Sequence, residues 1–386
     1  MKKIDGIMRI NTTAPIIPCF VLVFLFLSPI IGCATMDQGK NDLKEKDDRV
    51  GCISFSPDGK KLLFNRMQGD QLMIHMYNMD TGELIAYRPS PGEEWFSPRY
   101  SFAGKQIVFV TAPLIENINK TGFKGRDSVN SQIAVMNLDG KNVRKITNTQ
   151  GSKKDPSFSH SGRKIIFAIN REPNIRGSST DVYEVDVETS QETRLTQFYF
   201  INVFNPYYFP DDKTFIFNGF YPAYLSEMPH KDTVIEIHKA LDKRQELRSK
   251  YGNEAIYVMQ KDEKELKPYI MPDYPGKFGH KPGDKYSKWP SLSADGSVLI
   301  FMAGGSKSDD SIEEHLYQYS PAGSHRSITR ISSREIGEAV VSPDGKMIAV
   351  STFFLPAEIV IYKVKDGTIY KEITLPDQPS RIINSQ

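Results

Sequence analysis

The sequence predicts an all-β protein built from six copies of one four-stranded unit. Three observations support this prediction. A short apolar strand, a Ser-Pro-Asp-Gly-like turn and a second apolar strand recur six times along the chain. Each copy is followed by a second hairpin with alternating apolar residues. Aromatic residues make up 11% of the chain, which suits a β-rich protein.

The first hairpin of each copy is recognised by its turn. In such a turn Pro fixes one φ angle, Asp can bond to the backbone ahead of it, and Gly accepts a positive φ. In five copies an aromatic residue follows the turn glycine position by five residues. The turn residues expected to have this structural role are Asp58, Gly59, Gly104, Gly162, Asp212, Gly296, Asp344 and Gly345, with Asp212 in the place of glycine in the fourth copy.

The second hairpins complete the repeat and predict its architecture. Four strands in each of six copies, with a period of about 50 residues, are typical of a six-bladed β-propeller. An open β-solenoid or a β-sandwich is the alternative, but neither accommodates two different hairpins in alternation. The predicted domain spans residues 50–377, with blades at about 50–90, 98–148, 155–197, 205–272, 289–332 and 338–377.

Two gaps between turns are longer than the rest and indicate insertions between the second and third strands of a blade. They are Ala112–Ser131 in blade 2 and Gly219–Glu254 in blade 4. The second is predicted to contain a helix, because Asp232 or Thr233 can cap it and apolar residues follow at helical spacing. A seventh blade is the alternative, but only one hairpin follows this segment. No strand is expected to be exchanged between blades 1 and 6, and residues 378–386 are treated as a tail.

The N-terminus has the layout of a secretory signal. A positively charged segment precedes an apolar stretch from Ile16 to Ile31. This stretch is shorter than the roughly 20 apolar residues that a spanning helix needs. Ile30-Ile31-Gly32-Cys33 resembles the lipobox of bacterial lipoproteins. The resemblance implies a signal peptide over residues 1–32, cleavage after Gly32 and a lipid on Cys33; an ordinary signal with an incidental cysteine is the alternative.

The residues after Cys33 are expected to tether the folded domain to a membrane. Residues 33–49 are polar and show no apolar periodicity, which indicates a flexible segment. Ala34 follows the cysteine, where an Asp would suggest retention in the inner membrane; by resemblance to Gram-negative lipoproteins, the expected location is the outer membrane facing the periplasm. Cys19 would leave with the signal, so Cys52 is interpreted as a small buried hydrophobic residue.

The Ser-Pro-Asp-Gly-Lys copies resemble the PD40, or WD40-like, repeat of the TolB family. The resemblance covers residues 50 to about 377 and implies a six-bladed propeller. In TolB an α/β domain precedes the propeller, whereas here only the tether precedes the first copy. The motif residues are turn formers, so the resemblance implies the fold far more specifically than it implies a function.

The long connections are expected to gather on one face of the ring and to carry its function. Loops held by a rigid scaffold are the usual place for binding residues, and Trp, Tyr and Arg are the usual anchors of an interface. The alternative for individual aromatic residues is that they plug the channel or the gaps between blades. The candidate binding face consists of Trp95, Arg126, Tyr199, Tyr221, Tyr274 and Trp289.

The sequence offers little support for catalysis. There is no G-x-S-x-G elbow, no phosphate-binding glycine motif and no histidine pair at metal-binding spacing, so no catalytic residue, metal or cofactor is predicted. His160, in the third turn, is expected to be exposed and inert. Asp155 and Glu338 lie near the starts of first strands and can face the channel, where a carbohydrate-active enzyme, a glycosidase or lyase, would need its carboxylates.

Charge and composition narrow the class of partner. Lys and Arg total 49 against 47 Asp and Glu, and the formal charge of +2 is contributed by the first 32 residues. A formally neutral mature chain argues against nucleic acid as a partner. The expected function is therefore that of a non-catalytic envelope lipoprotein, held to the membrane through Cys33, whose propeller is a scaffold for another envelope protein or a glycan.

Overall fold

The computed structural model describes most of the repeat region. The described residues are 50–68, 71–114, 130–170, 180–196, 200, 202–220, 255–261, 263, 267–270, 286–306, 312–320, 324–327, 336–352 and 358–385. Within these ranges the named elements of secondary structure are all β-strands. The predicted helical insertion falls on residues 221–254, outside the described residues, whereas Gly219 and Phe220 belong to a strand rather than to the insertion.

Six antiparallel four-stranded sheets follow one another along the chain and form the blades of a six-bladed propeller. Blades 1 to 3 consist of β1 (Val50–Phe55), β2 (Lys61–Gln68), β3 (Gln71–Asn78) and β4 (Leu84–Arg88); β5 (Glu93–Tyr100), β6 (Gln106–Pro113), β7 (Gln132–Asn137) and β8 (Arg144–Lys145); and β9 (Ser152–Phe158), β10 (Lys164–Asn170), β11 (Thr180–Asp186) and β12 (Glu192–Arg194). Blades 4 to 6 consist of β13 (Asn202–Tyr208), β14 (Thr214–Phe220), β15 (Ala255–Gln260) and β16 (Lys267–Ile270); β17 (Tyr286–Leu292), β18 (Leu299–Ser306), β19 (Ile312–Ser320) and β20 (Ser324–Ser327); and β21 (Ile336–Val341), β22 (Met347–Thr352), β23 (Glu358–Lys363) and β24 (Ile369–Thr374). The prediction of six blades with four strands each is confirmed.

The predicted turn chemistry is present in the first hairpins. In blade 1, Ser56 Oγ accepts a hydrogen bond from Lys61 N at 2.9 Å, and Asp58 Oδ1 accepts one from Lys60 N at 3.1 Å. The hydrogen bond from Ser56 lowers the pKa of Asp58 below its ordinary value. All five turn glycines have φ between 66° and 72°, and Asp212 adopts a φ of 53° in the fourth turn.

The core lies between the blades. Each pair of neighbouring blades encloses one cluster of buried apolar side chains, including the pair formed by blades 6 and 1. At this last junction Leu62 and Phe64 of blade 1 pack with Ala349 and Ile359 of blade 6. The ring therefore closes by apolar packing between its first and last blades, without an exchanged blade strand.

Two details of the strands differ from the prediction. The inner strands β5, β9, β13, β17 and β21 begin a few residues before the predicted blade starts. A strand tolerates proline either at its first residue or at a β-bulge. In the first four of these strands the proline lies within the strand and marks a β-bulge. Residues 378–386 are also more than a tail, because they contain β25 (Arg381–Asn384), which adds a fifth strand to blade 1 by pairing in parallel with β4.

Candidate functional site

The inner strand of every blade is interrupted by a β-bulge. Five of the six bulge residues have a φ between 46° and 55°, which is uncommon for residues other than glycine. β-Bulges are frequent next to functional sites because they re-aim side chains. Counted back from the turn, the equivalent positions in the six blades are Cys52, Ser97, Asp155, Asn205, Trp289 and Glu338.

A charged cluster links blades 2, 3 and 4. Arg99, two residues beyond the bulge of blade 2, donates from Nη2 to Asn205 Oδ1 of blade 4 at 2.8 Å. Its guanidinium carbon lies 4.1 Å from the ring centroid of Tyr207, so the pair makes a cation–π contact. Asn205 N in turn donates to Asp155 Oδ2 of blade 3 at 3.1 Å. Blades 2 and 4 are not neighbours, so the Arg99 side chain crosses the interior of the ring.

Glu338 extends the cluster to the junction of blades 6 and 1. Its Oε2 accepts a hydrogen bond from Ile53 N of blade 1 at 3.2 Å. Burial raises the pKa of Glu338 to about 7; Arg99 opposes this shift and the Asp155 carboxylate adds to it. Burial likewise raises the pKa of Tyr207 to about 12, so its hydroxyl stays protonated at neutral pH.

We call Arg99, Asp155, Asn205, Tyr207 and Glu338 the channel hub. Two polar atoms of this hub have unused hydrogen-bonding capacity. Arg99 and Asp155 are 7% and 1% exposed, and Arg99 Nη1 and Asp155 Oδ1 have no hydrogen-bond partner among the described residues. Leaving such buried atoms unsatisfied costs about 1–3 kcal/mol each, and more when the group is charged. The hub therefore offers one donor and one acceptor to a small polar group, and it lacks the closure of a fully satisfied structural network.

The end of the ring that carries the Ser-Pro-Asp-Gly turns is closed by contacts between those turns. His160 of blade 3 stacks on Phe102 of blade 2 with 3.7 Å between ring centroids. Its Nε2 lies 2.8 Å from Ala294 O of blade 5, and its backbone N donates to Asp212 Oδ1 of blade 4 at 2.6 Å. The prediction that His160 is exposed is therefore wrong, because residues of blades 2, 4 and 5 contact its side chain and backbone.

The structure describes two of the six residues of the predicted binding face. Trp95 and Trp289 are 2% and 4% exposed, so they fill space in the ring and do not present a surface. Trp95 packs on Phe109, and Lys288 Nζ lies 4.2 Å from the ring of Trp289. The other four candidates, Arg126, Tyr199, Tyr221 and Tyr274, lie outside the described residues, as do Gly32 and Cys33.

Asp155 and Glu338 are the two predicted channel residues that the structure brings into one cluster. Sequence reasoning missed Arg99, Asn205 and Tyr207. A signal for them exists, because in blades 2 to 5 an X-Pro dipeptide begins seven residues before the turn glycine position. The four dipeptides are Ser97-Pro98, Asp155-Pro156, Asn205-Pro206 and Trp289-Pro290.

Cys52 is 3% exposed, as expected of a small buried residue. Its Sγ lies 3.7 Å from Ser97 Oγ of blade 2. Cys19 and Cys33 lie outside the described residues.

The described residues include neither a metal-binding cluster nor a membrane-spanning helix. They contain no group of three or more His, Cys, Asp or Glu side chains arranged to hold a metal ion. Among the same residues there is no helix with the length and apolar character needed to cross a membrane.

The blades define a six-bladed β-propeller protein, and solved structures of several other proteins are similar to it in fold. The chain is similar to TolB from Acinetobacter baumannii, with 17% identity and a TM-score of 0.53 over 87% of this chain and 66% of that chain. It is also similar to an oligogalacturonate lyase in complex with manganese, with 15% identity and a TM-score of 0.50 over 82% of this chain and 74% of that one. A puromycin-hydrolysing peptidase of Mycobacterium tuberculosis matches with 13% identity and a TM-score of 0.50 over 82% of this chain and 44% of the peptidase.

These likenesses show the fold and nothing finer. No protein-family model and no curated protein matches the sequence. Because similar propellers occur in TolB, in a lyase and in a peptidase, the function has to be argued from the residues of this chain.

Proposed function

We propose that this protein is a non-catalytic envelope lipoprotein whose propeller binds another envelope protein or a glycan at the end of the ring opposite the Ser-Pro-Asp-Gly turns. The observation that carries the proposal is the closure of the turn end by His160 and its neighbours. A partner that approaches along the axis of the ring therefore meets the opposite end first.

The course of the strands supports this choice of end. Each inner strand runs toward its turn, so the connections from the second to the third strand, and from each blade to the next, emerge at the other end. The longest of these connections are residues 114–131, 221–254 and 271–285. Arg126, Tyr221 and Tyr274 lie within them, and Tyr199 lies in the connection from β12 to β13. Because Trp95 and Trp289 are buried, these four residues remain as the candidate anchors of the binding face.

The channel hub favours binding over catalysis. Asp155 and Glu338 each commit one carboxylate oxygen to a backbone N–H of a neighbouring blade. Such bonds fix the blades and leave less freedom for the proton transfers that a glycosidase or lyase requires. The enzyme hypothesis predicts that a purified soluble form cleaves a polysaccharide and that Asp155→Asn or Glu338→Gln abolishes the cleavage. Cleavage that responds in this way would replace the scaffold proposal.

The binding proposal is tested by crosslinking and pull-down from intact envelopes. In one variant a short glycine-containing turn replaces residues 221–254, which the pairing of Gly219 with Ala255 permits. We expect this variant to retain its fold, checked by circular dichroism, and to lose its crosslinked partner. Lys346→Ala, whose parent side chain is 80% exposed at the turn end, is the matched control and should retain the partner. Retention by both variants would contradict the assignment of the binding end.

A further inference from the structure

The C-terminal strand β25 occupies a groove on the outer edge of blade 1. It pairs in parallel with β4, with Arg381 opposite Ile85 and Asn384 opposite Arg88. Ser380 N donates to Leu84 O at 2.7 Å at one end of the pairing, and Ser385 N donates to Arg88 O at 3.2 Å at the other. The blade is already complete without this strand, since β1 to β4 match the four strands of every other blade.

The groove has a pocket for one side chain. Ile383 packs against the apolar cluster that contains Tyr87, and Leu138 and Val143 of blade 2 pack against the same cluster. A Cβ atom at Gly140 would lie 2.5 Å from Ile383 Cγ2, so the absence of a side chain at Gly140 is what makes room for the isoleucine. Tyr87 is fixed in turn by a 2.8 Å hydrogen bond from its hydroxyl to Leu138 O. Backbone pairing together with one fitted side chain is how strand-addition sites achieve affinity and specificity.

The segment that delivers the strand is short and contains proline. Beyond β24 of blade 6, Leu375 is 4% exposed and Pro376 O accepts a hydrogen bond from Arg66, so the chain is fixed to this point. It is fixed again at Ser380. Residues 377–379, which end in Pro379, are the hinge between the two fixed points. Short hinges of this kind are where proteins exchange identical elements between copies.

We propose that this groove is an interface between two copies of the chain, in which the C-terminal strand of each copy docks onto blade 1 of the other. A second copy is the occupant because the groove is shaped for this chain's own strand, so an exchanged pair keeps every contact of the groove in both copies. The monomer gains from the high effective concentration of a tethered strand, which is in the millimolar range for short linkers. Exchange therefore increases with protein concentration. This inference concerns the outer edge of blade 1 and does not depend on the proposed binding end or on the lipid.

Cysteine pairs distinguish a docked strand of the same chain from one supplied by another copy. Arg88 and Asn384 are opposite each other and both exposed, so cysteines there leave the core intact. The double variant Arg88→Cys/Asn384→Cys should form a disulfide within one chain, which verifies that the groove is occupied. The two single variants, made as full chains of different size through a tag, are mixed at increasing concentration and incubated below the unfolding transition.

The expected result is a mixed dimer whose disulfide joins positions 88 and 384, identified by peptide mass spectrometry, and whose yield increases with concentration. Ile383→Asp in the chain that supplies the strand should reduce the yield to that of a parent mixture without added cysteines. If the double variant forms its internal disulfide while the single variants give no mixed dimer above this background, strand exchange is excluded.

Discussion

Replacing Glu338 with glutamine tests how the centre of the ring responds to pH. The carboxyl is enclosed by blades 6 and 1 and accepts a hydrogen bond from Ile53 N. Burial raises its pKa from the ordinary value of 4.5 to about 7. A group whose pKa is raised on folding binds its proton more tightly in the folded state, so the folded protein is favoured by protonation.

The magnitude follows from the size of this shift. One pKa unit corresponds to about 1.4 kcal/mol, so the shift amounts to about 3 kcal/mol of unfolding free energy. Stability from this group is fully present below pH 4.5, declines as the pH rises from 4.5 to 7, and is lost above 7. Glutamine resembles the protonated acid and keeps an acceptor for Ile53 N. The Glu338→Gln variant should therefore be more stable than the parent by up to about 3 kcal/mol at pH 8 and should converge with it near pH 4.5.

The assay is urea denaturation of parent and variant at a series of pH values from 4.5 to 8.5. Both proteins carry the same other titratable groups, so the difference between the two curves reports on the change at position 338. Glu372→Gln removes an exposed carboxylate of β24 and serves as the control, with no expected difference at any pH. A Glu338→Gln variant that is less stable than the parent at pH 8 would refute the reasoning, because the ionised carboxylate would then be favourable where it lies.

Three further predictions concern the strand groove, the turn end and the membrane anchor. Gly140→Ala should release β25, because the new Cβ would lie 2.5 Å from Ile383 Cγ2, and the release should be measured as faster amide hydrogen exchange over residues 381–384. The control is Gly162→Ala, where φ is also positive but a Cβ would have no atom within 4 Å, and this variant should leave the exchange of β25 unchanged. His160→Ala should reduce the unfolding free energy by about 2 kcal/mol, because it removes the stack on Phe102 and one hydrogen bond. His160→Phe keeps a ring for the stack and should lose only about half as much unfolding free energy. Equal losses in both variants would contradict a role for the stack. Cys33→Ser should move the protein from the membrane fraction to the soluble fraction of the cell envelope, and a variant that stays with the membrane would contradict the lipid prediction.

The repeat was readable from the sequence because its information is local. Each Ser-Pro-Asp-Gly turn is specified by four consecutive residues, and the structure gives the turn glycines the positive φ that such a turn requires. The bounds of the inner strands are harder to predict from the sequence. Taken alone, each proline of an inner strand suggests the start of that strand. Only the common distance of these prolines from the turn indicates a bulge; they are Pro98, Pro156, Pro206 and Pro290.

The features that sequence reasoning missed depend on contacts between distant residues. Arg99 reaches Asn205 across an intervening blade, and no spacing along one strand predicts that contact. β25 has four residues, follows two prolines and pairs with a strand almost 300 positions earlier, so its pattern is too short to distinguish it from a tail. Trp95 and Trp289 resembled interface anchors because aromatic residues are used both for binding and for filling a core.

The Arg99→Gln variant tests whether the positive charge of Arg99 stabilises the carboxylates of the channel hub. Burial raises the pKa of Glu338, Arg99 opposes this rise and Asp155 adds to it. Removing one partner from a buried charged group costs about 3–5 kcal/mol, because the remaining charges are left uncompensated. Arg99→Gln should therefore lose about that much stability at pH 8 and recover part of it as the pH falls and Glu338 becomes protonated. Adding Glu338→Gln to Arg99→Gln should restore part of the loss at pH 8, and the coupling energy between the two positions is then read from the double-mutant cycle. A loss that is the same at every pH, with no coupling to position 338, would mean that Arg99 acts through its packing on Tyr207 alone.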